Sequence, residues 1–457
     1  MSYEEPGYSE RDRRVQLHSF TDLDEYARTG APVIERGEGI YLVDTAGRRY
    51  LDAMSSLWCA TLGYSQPRLV AAANAQLERL PYSHSFRGRS HPLLVELAEK
   101  LVEISPPGLE RAFFACSGSE ANESAIKMAW AYHRQRGMPE KRSIISRCDG
   151  YHGSTLFASR LTGMAAMHDA FGGKSPEILF AECPAYHRDA RAGETEADFA
   201  ARMAQGLETL IEREGADRIA AFIAEPVMGV GGVILPPHTY FERVQEILRR
   251  HDILLIADEV ICGFGRTGQM FGSATFAIEP DILTLAKGLS AAYFPISATL
   301  VSAPIYSALR DNSASHGVFS HGFTYSGHPV GAAVALETLA ILEEEDIPRR
   351  VRQIAPRFQA AVARCCDIEI AMNPRGVGLM AAFDLVRDKS SGESFEPGFG
   401  AGGLLMQFAE SNDLFVRTVG DTVVLAPPLV ISDSEIEELE QRLSKSLHAL
   451  YRRTSGG

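Results

Sequence analysis

The middle of the chain alternates between short apolar runs and stretches of helical periodicity. Apolar runs occupy 219–226 (IAAFIAEP), 252–260 (DILLIADEV) and 281–288 (DILTLAKG), and each ends in polar residues. The segment 239–252, between the first two runs, has the apolar spacing of an amphipathic helix. Strands that alternate with helices predict an α/β fold whose sheet is mostly parallel and is buried on both faces.

The two ends of the chain carry a different pattern. Beyond residue 329, long stretches of helical period surround two strand-like segments, 375–386 (RGVGLMAAFDLV) and 421–430 (DTVVLAPPLV). Near the start, 40–54 has the pattern of a β-hairpin that could join them. We therefore expect two domains: a large one over 66–326, and a smaller α+β domain that combines 1–65 with 327–457.

Composition narrows the class of protein. The chain has 457 residues, of which 45% are hydrophobic and 23% charged, as in globular proteins that bury a large core. Its net charge of −14 argues against a broad nucleic-acid surface, and no apolar run reaches membrane-spanning length. The seven cysteines form no C-x-x-C pair, and the first residues lack the pattern of a secretory signal, so we expect a reducing cytoplasm and no metal site.

The segment 263–268 (GFGRTG) matches the glycine spacing G-x-G-x-x-G of dinucleotide-binding proteins. A dinucleotide site needs these glycines to follow a strand directly, to open a helix and to precede an acid about 20 residues later. Here five residues separate Ala257 from Gly263, the following segment is not helical, and Gly288 stands where the acid would be. We interpret the segment as a loop beside a site.

Polar residues stand where three predicted parallel strands end: Glu225, Asp258 and Lys287. Ligands of such sheets bind at the carboxyl ends of the strands. Asp258 could be an internal ion-pair partner or helix cap, or the permanent counter-ion of a cationic ring nitrogen. Lys287 could be an ordinary paired lysine, or a dehydrated amine that acts as a nucleophile.

Two further segments favour the chemical interpretation. Ser117 and Glu120 have the spacing of a capping box, which would leave Gly118 and Ser119 at the positive end of a helix, where phosphate binds. Tyr151 lies between glycines and could stack on a flat ring. A phosphate cradle, a stacking aromatic residue, a carboxylate and a nucleophilic lysine together indicate a site for pyridoxal 5′-phosphate (PLP).

Six motifs carry a resemblance to a known family: SGSEAN, GYHG, Glu225-Pro226, ADEVICGFGRTG, AKGLS and HGFTYSGHP. With them, the sequence resembles the class III, fold-type I PLP-dependent aminotransferases over almost its whole length, and is most similar to the ω-amine:pyruvate transaminases. The resemblance implies a homodimer with active sites at the interface, and leaves further pairing into a tetramer open.

The resemblance also assigns roles. Lys287 would hold the cofactor covalently and move the proton, and Asp258 would keep the pyridine nitrogen protonated. Thr324 would reach the phosphate in the neighbouring subunit. The other cofactor-binding residues implied are Gly118, Ser119, Tyr151, His152, Glu225 and Val260.

Two apolar residues and one arginine narrow the range of substrates that we expect. Ornithine, acetylornithine and 4-aminobutyrate members of the family bind a carboxylate with an arginine gated by a glutamate, but Val424 and Val230 occupy those positions. Arg417 matches the mobile arginine that binds the carboxylate of pyruvate in the amine:pyruvate group. The resemblance implies that the remaining pocket wall consists of Phe20, Leu57, Trp58, Tyr151, Val230 and Phe86 of the neighbouring subunit.

We therefore expect a transaminase that moves an amino group from a primary amine or ω-amino acid to pyruvate or a similar 2-oxo acid, in two half-reactions. A 7,8-diaminopelargonate-type transaminase that uses S-adenosylmethionine is the main alternative. Another class III enzyme, such as a decarboxylase or racemase, is a further one. A binding protein on an inactive scaffold is disfavoured because both Lys287 and Asp258 are present.

Overall fold

The computed structural model describes residues 7–169, 171–173, 175–396 and 398–455. The strands are β1 (Ile34–Glu38), β2 (Tyr41–Asp44), β3 (Arg49–Asp52), β4 (Leu109–Ala115), β5 (Ser143–Arg147), β6 (Ile178–Ala181), β7 (Ile219–Ala224), β8 (Leu254–Asp258), β9 (Ile282–Leu285), β10 (Ser297–Ser302), β11 (Ala371–Val377), β12 (Met380–Leu385), β13 (Leu414–Phe415), β14 (Arg417–Val419) and β15 (Thr422–Leu425).

The helices differ widely in length. They are α1 (Tyr8–Val15), α2 (Leu23–Thr29), α3 (Ser55–Trp58), α4 (Pro67–Arg79), α5 (Pro92–Ile104), α6 (Gly118–Gln135), α7 (Leu156–Leu161), α8 (Ala165–Asp169), α9 (Tyr186–Asp189), α10 (Glu196–Glu214), α11 (Tyr240–Arg250), α12 (Gly272–Thr275), α13 (Ala303–His316), α14 (Pro329–Glu344), α15 (Ile347–Cys365), α16 (Ala401–Ser411) and α17 (Asp433–Ser455). Short 3₁₀ turns cover Phe86–Gly88, Ala216–Arg218 and Lys287–Ser290.

A seven-stranded sheet forms the centre of the molecule, in the order β4-β10-β9-β8-β7-β5-β6. The pairs β9–β8, β8–β7, β7–β5 and β5–β6 are parallel, and β10 runs antiparallel to both of its neighbours. The three apolar runs of the sequence form the adjacent strands β7, β8 and β9, and the amphipathic segment between the first two forms α11. The predicted α/β fold with a mostly parallel sheet is confirmed.

The apolar runs are continuous because both faces of the sheet are covered. Ile223 and Ile256 belong to one buried cluster with residues of α6, whereas Phe222 and Leu255 belong to another with residues of α11. Since successive side chains of a strand point to opposite faces, a strand in this position needs apolar residues at every position. The amphipathic helix α11 needs them on one side only.

Two four-stranded sheets lie outside the central one, in the orders β1-β2-β3-β13 and β11-β12-β15-β14. In the first, Leu414 of β13 pairs with Leu51 of β3, so the N-terminal hairpin is joined to the C-terminal part of the chain. This pairing supports the proposed division into domains at 66–326, which stays a prediction. Residues 1–6 and 456–457 of the smaller predicted domain lie outside the described residues.

One predicted strand is wrong in detail. The segment 375–386 was expected to form a single strand, but it contains the end of β11, a turn and then β12. The turn is built on Gly378, whose φ is +57°, a conformation that glycine adopts without steric cost. An isolated glycine in an apolar run is compatible with a strand, so the apolar pattern alone did not show the turn.

Two negative findings apply to the described ranges. None of their helices is long and apolar enough to cross a bilayer. In the same residues, no group of three or more His, Cys, Asp or Glu side chains could hold a metal ion.

Candidate active site

The chemistry-bearing residues meet at the carboxyl edge of the central sheet. Glu225 directly follows β7, Asp258 ends β8 and Lys287 is the second residue after β9, while α6 begins at Gly118 beyond the end of β4. Because neighbouring parallel strands end at the same edge, residues far apart in sequence surround one cavity of about 360 Å³.

Most of the residues predicted from the sequence line this cavity. They are Phe20, Leu57, Trp58, Gly118, Ser119, Tyr151, His152, Glu225, Val230, Asp258, Val260, Lys287 and Arg417. Two predicted residues do not line it: Phe86 lies on a separate, larger groove of about 1300 Å³, and Thr324 is exposed on the surface. Both were expected to act in a neighbouring subunit, so their distance from this cavity does not test their roles.

Asp258 is a buried carboxylate whose two oxygens both have hydrogen-bond partners. Its Oδ2 accepts hydrogen bonds from Asn122 Nδ2 at 2.8 Å and lies 2.9 Å from His152 Nδ1, and its Oδ1 accepts one from Val260 N–H at 3.1 Å. Only 3% of the residue is exposed. A carboxylate held in this way keeps a fixed orientation toward the cavity, which is what a counter-ion for a ring nitrogen requires.

Asn122 was missed by the sequence analysis. Its amide nitrogen also donates to the carbonyl oxygen of His152 at 2.8 Å, and its amide oxygen accepts from Thr284 Oγ1 at 2.8 Å. Asn122 lies four residues after Gly118 on α6, and this spacing brings it to the same helix face. That spacing within SGSEAN was the signal available in the sequence.

Lys287 is partly exposed to the cavity, and desolvation by the surrounding protein lowers the pKa of its amine. Its Nζ lies 5.2 Å from the centre of the Trp58 ring. A lowered pKa increases the fraction of neutral amine near neutral pH, and the neutral amine is the form that attacks a carbonyl carbon. Because its environment suits a nucleophile, the ordinary paired lysine is disfavoured.

The N-terminus of α6 provides an anion site. Ser117 and Glu120 form the predicted capping box, and the first residues of the helix, Gly118 and Ser119, border the cavity. A Cβ on Gly153 would lie 2.3 Å from Ser119 Oγ, and a Cβ on Gly118 would lie 3.1 Å from the Val260 methyl groups. The two glycines keep this corner open, so a phosphate fits at the positive helix end.

Glu225 fixes the backbone around the stacking residue. Its two carboxylate oxygens accept hydrogen bonds from the backbone N–H of Tyr151 at 3.1 Å and of Gly229 at 3.0 Å. Burial raises the pKa of this carboxyl group. These contacts give Glu225 a structural function in addition to its place on the cavity wall.

Leu57 and Trp58 reach the cavity on an unusual turn. Four consecutive residues of α3 have positive φ angles: Ser55 (45°), Ser56 (42°), Leu57 (70°) and Trp58 (62°). The turn is a left-handed helical one, closed by hydrogen bonds from the N–H of Trp58 to the carbonyl of Met54 and from Cys59 to Ser55. This conformation costs roughly 1–2 kcal/mol per L-residue, so other contacts must hold it.

Arg417 faces the cavity from β14. Its guanidinium carbon lies 5.5 Å from the centre of the Trp58 ring. Within the described residues its side chain makes no ion pair and no hydrogen bond, and burial lowers the pKa of the guanidinium. The group remains charged in a protein, so a cation that has no ion-pair or hydrogen-bond partner among the described residues faces the cavity beside the ring of Trp58.

Several other cavity residues, besides Asn122, were not predicted from the sequence. Some of these side chains come from a short loop and from the helix α8, neither of which carries a sequence motif. The strand β14 contributes two further residues to the cavity wall. The residues missed are Asn122, Gly153, Met164, Ala166, Met167, Ile261, Thr418 and Val419.

Comparison with known proteins agrees with this geometry. A family model described as "Aminotransferase class-III" matches residues 25–447. The chain belongs to the class III aminotransferases, as its motifs indicated, and is therefore an enzyme that uses PLP, in agreement with the phosphate corner, the fixed carboxylate and the lysine of the cavity.

Its relatives carry two kinds of name. A solved omega transaminase from Pseudomonas jessenii, in complex with PMP, is 43% identical, covers 99% of this chain and all of its own, and superposes with a TM-score of 0.97. Two curated relatives are a mitochondrial gamma aminobutyrate transaminase 1 from Solanum lycopersicum (45% identical, covering 92% of this chain and 82% of the relative) and one from Oryza sativa subsp. japonica (46%, 93% and 82%). The two kinds of name do not agree on one amino donor, so they do not identify the amino donor of this protein.

Proposed function

We propose that the protein transfers an amino group from a primary amine or an ω-amino acid to pyruvate or a similar 2-oxo acid. The observation that carries the proposal is the unpaired cation of Arg417 beside the apolar wall of Trp58, in the cavity that also holds Lys287. Such a pocket can bind a small carboxylate acceptor in one half-reaction and an apolar donor in the other.

The residues of the cavity would hold PLP as follows. Lys287 provides the amine that carries the cofactor, and Asp258 keeps its ring nitrogen protonated. Ser119 and Gly118 bind the phosphate, and Tyr151 covers the ring. His152, Glu225 and Val260 line the same space. When bound, PLP acts as an electron sink for the substrate carbon, and Lys287 moves the proton to and from that carbon.

Arg417 would bind the carboxylate of the acceptor. Its planar guanidinium presents two parallel N–H groups that match a carboxylate. For a donor that lacks a carboxylate, the side chain must leave the pocket or be covered, and Trp58 and Leu57 supply apolar surface in its place. An ω-amino acid, such as 4-aminobutyrate or β-alanine, could use the same arginine.

Other subfamilies bind a substrate carboxylate with an arginine and a gating glutamate at two positions. In this protein neither of these positions carries a charged residue. Val230 and Val424 are both buried, in a cluster that also contains Trp58. Neither side chain can bind an anion. We therefore place 4-aminobutyrate among the donors to be tested, as the names of the curated relatives require, and not as a presumed substrate.

The proposal includes a homodimer with shared sites. Phe86 and the exposed Tyr325 next to Thr324 lie on surface away from the cavity, and both aromatic side chains are substantially exposed (44% and 61%). Exposed aromatic residues of this size commonly mark interfaces. In the dimer, Phe86 would complete the partner's pocket and Thr324 would reach its phosphate.

We propose a cytoplasmic location, and the cysteines are the reason. Cys183, Cys262, Cys365 and Cys366 are buried and form no disulfide. Thiols that serve as small apolar groups suit a reducing compartment.

The experiment that tests the function measures alanine formed from pyruvate by the PLP-loaded enzyme. The donors are a carboxylate-free aromatic amine, β-alanine, 4-aminobutyrate, ornithine and S-adenosylmethionine, each alone. We expect alanine with the aromatic amine and with an ω-amino acid. Alanine from neither would contradict the proposal.

Controls separate the alternatives. The Lys287→Ala variant should form no alanine, since it lacks the amine that holds the cofactor. Activity only with S-adenosylmethionine would favour the diaminopelargonate-type transaminase. Release of carbon dioxide, or racemisation of an amino acid without transfer to pyruvate, would favour the other class III enzymes.

A further inference from the structure

The glycine-rich segment 263–268 has a place in the structure that its dinucleotide-like spacing does not explain. It follows β8 and forms hydrogen bonds with residues from the N-terminal and the C-terminal parts of the chain. Its arginine, Arg266, is fully buried. No helix opens at the segment, so it does not form the phosphate turn of a dinucleotide site.

The guanidinium of Arg266 joins three separate segments through neutral acceptors. Nη1 donates to the carbonyl oxygens of Leu379 at 3.0 Å and Pro427 at 2.5 Å, and Nη2 donates to Ser55 Oγ at 3.3 Å. Within the described residues, no carboxylate forms an ion pair with it. A buried cation without a paired carboxylate is costly, so its retention calls for an explanation beyond packing.

Ser55 is the first residue of the left-handed turn that carries Trp58. Its hydroxyl accepts from Arg266 and donates to the carbonyl oxygen of Ala426 at 2.7 Å. On the other side of the turn, Asp52 accepts hydrogen bonds from the N–H groups of Met54 at 2.9 Å and Ser56 at 2.7 Å. Arg266 and Asp52 thus hold the two sides of a backbone conformation that L-residues rarely adopt.

We propose that Arg266 is a positioning residue for the substrate pocket: it fixes the left-handed turn at Ser55 and so places Trp58 beside Lys287 and Arg417. Only seven residues separate Arg266 from Asp258, so the same loop connects the carboxylate that serves the cofactor with the wall that serves the donor. The inference rests on the proposed function only in assigning Trp58 to the donor pocket.

Trp58 itself reports its position. The sequence has two tryptophans, and Trp130→Phe leaves Trp58 as the single one. Its ring is 2% exposed, and its indole N–H is buried without a hydrogen-bond partner. Displacement of the turn would admit water to this ring, which red-shifts its emission and increases quenching by acrylamide. This readout needs neither a donor nor an acceptor.

The variants are made in the Trp130→Phe background and loaded with PLP. Arg266→Met removes all three hydrogen bonds of the guanidinium, and Arg266→Lys keeps the charge with a single-headed donor. Ser55→Ala removes the link from Arg266 to the turn, together with the bond from the Ser55 hydroxyl to Ala426, and leaves the other two hydrogen bonds of Arg266. The matched control is Arg350→Met: Arg350 donates to the carbonyl oxygens of Val430 and Ile431 but does not contact the turn.

We expect red-shifted, more readily quenched Trp58 emission in Arg266→Met and Ser55→Ala, an intermediate shift in Arg266→Lys, and none in Arg350→Met. The kcat/KM for a carboxylate-free amine should fall about 10- to 100-fold in Arg266→Met, as for a group displaced by roughly 1 Å. The cofactor absorbance should stay unchanged, since Lys287 is intact.

Unchanged Trp58 emission in Ser55→Ala and in whichever Arg266 variants fold would overturn the inference. So would an equal shift in Arg350→Met, because it would reflect general loosening of the fold. A wild-type enzyme that fails to form alanine contradicts the proposed function instead, and leaves the emission test standing. The two failures are therefore distinguishable.

Discussion

Replacing Arg417 should separate the two half-reactions. Arg417→Met keeps much of the side-chain volume and removes the only charged group that we assign to the acceptor carboxylate. A charge-assisted hydrogen-bonded contact contributes about 1.5–3 kcal/mol, and the half-buried position of Arg417 places it toward the lower part of that range. The KM for pyruvate should therefore rise about 10- to 30-fold.

The donor half-reaction provides the internal control. A carboxylate-free amine makes no ion pair with Arg417, so its rate of reaction with the PLP-loaded enzyme should change by less than about threefold, within the effect of a lost packing contact on Trp58. Arg387→Met, at an exposed arginine paired with Glu393, is the matched variant that should change neither. An unchanged KM for pyruvate, or equal losses in both half-reactions, would refute the assignment of Arg417.

Three further predictions concern other parts of the molecule. Asn122→Ala should lower kcat by about tenfold and weaken PLP binding in equilibrium titrations, because Asp258 loses a buried donor; unchanged PLP affinity would contradict this. Val230→Ala should raise kcat/KM for a bulky amine over a small one by about tenfold, since the removed methyl groups widen the cavity; an equal ratio would exclude that wall. His133 is buried, and its pKa is lowered to about 4. The free energy of unfolding should therefore fall as pH falls from about 6.5 to 4, by at most about 3 kcal/mol. His133→Gln should reduce that loss in urea titrations at several pH values.

The core of the site followed from local patterns. Glu225, Asp258 and Lys287 each end or follow an apolar run, and parallel strands necessarily bring such positions to one edge. The capping box at Ser117 is a contiguous motif, and it formed as expected. Such residues can be predicted because their positions depend only on local sequence patterns and on the fact that neighbouring parallel strands end at the same edge of a sheet.

The remaining wall depends on contacts that no local pattern encodes. The left-handed conformation of Ser55–Trp58 contradicts the preference of every residue in it. It is held by Asp52 through local hydrogen bonds and by Arg266 through a tertiary one. Met164 and Met167 reach the cavity from a loop and from the short helix α8 that follows it, neither of which has a recognisable apolar periodicity. The turn at Gly378 was missed because glycine in an apolar run does not by itself distinguish a turn from a strand.

The most direct test of the account is a two-step spectrum of the PLP-loaded enzyme. A carboxylate-free aromatic amine is added without an acceptor and the visible absorbance band of the cofactor is followed; pyruvate is then added after the amine has been removed. The account predicts that the band disappears in the first step and returns in the second, with alanine as the product. A band that is unaffected by the amine, or that is lost and not restored by pyruvate, would contradict it.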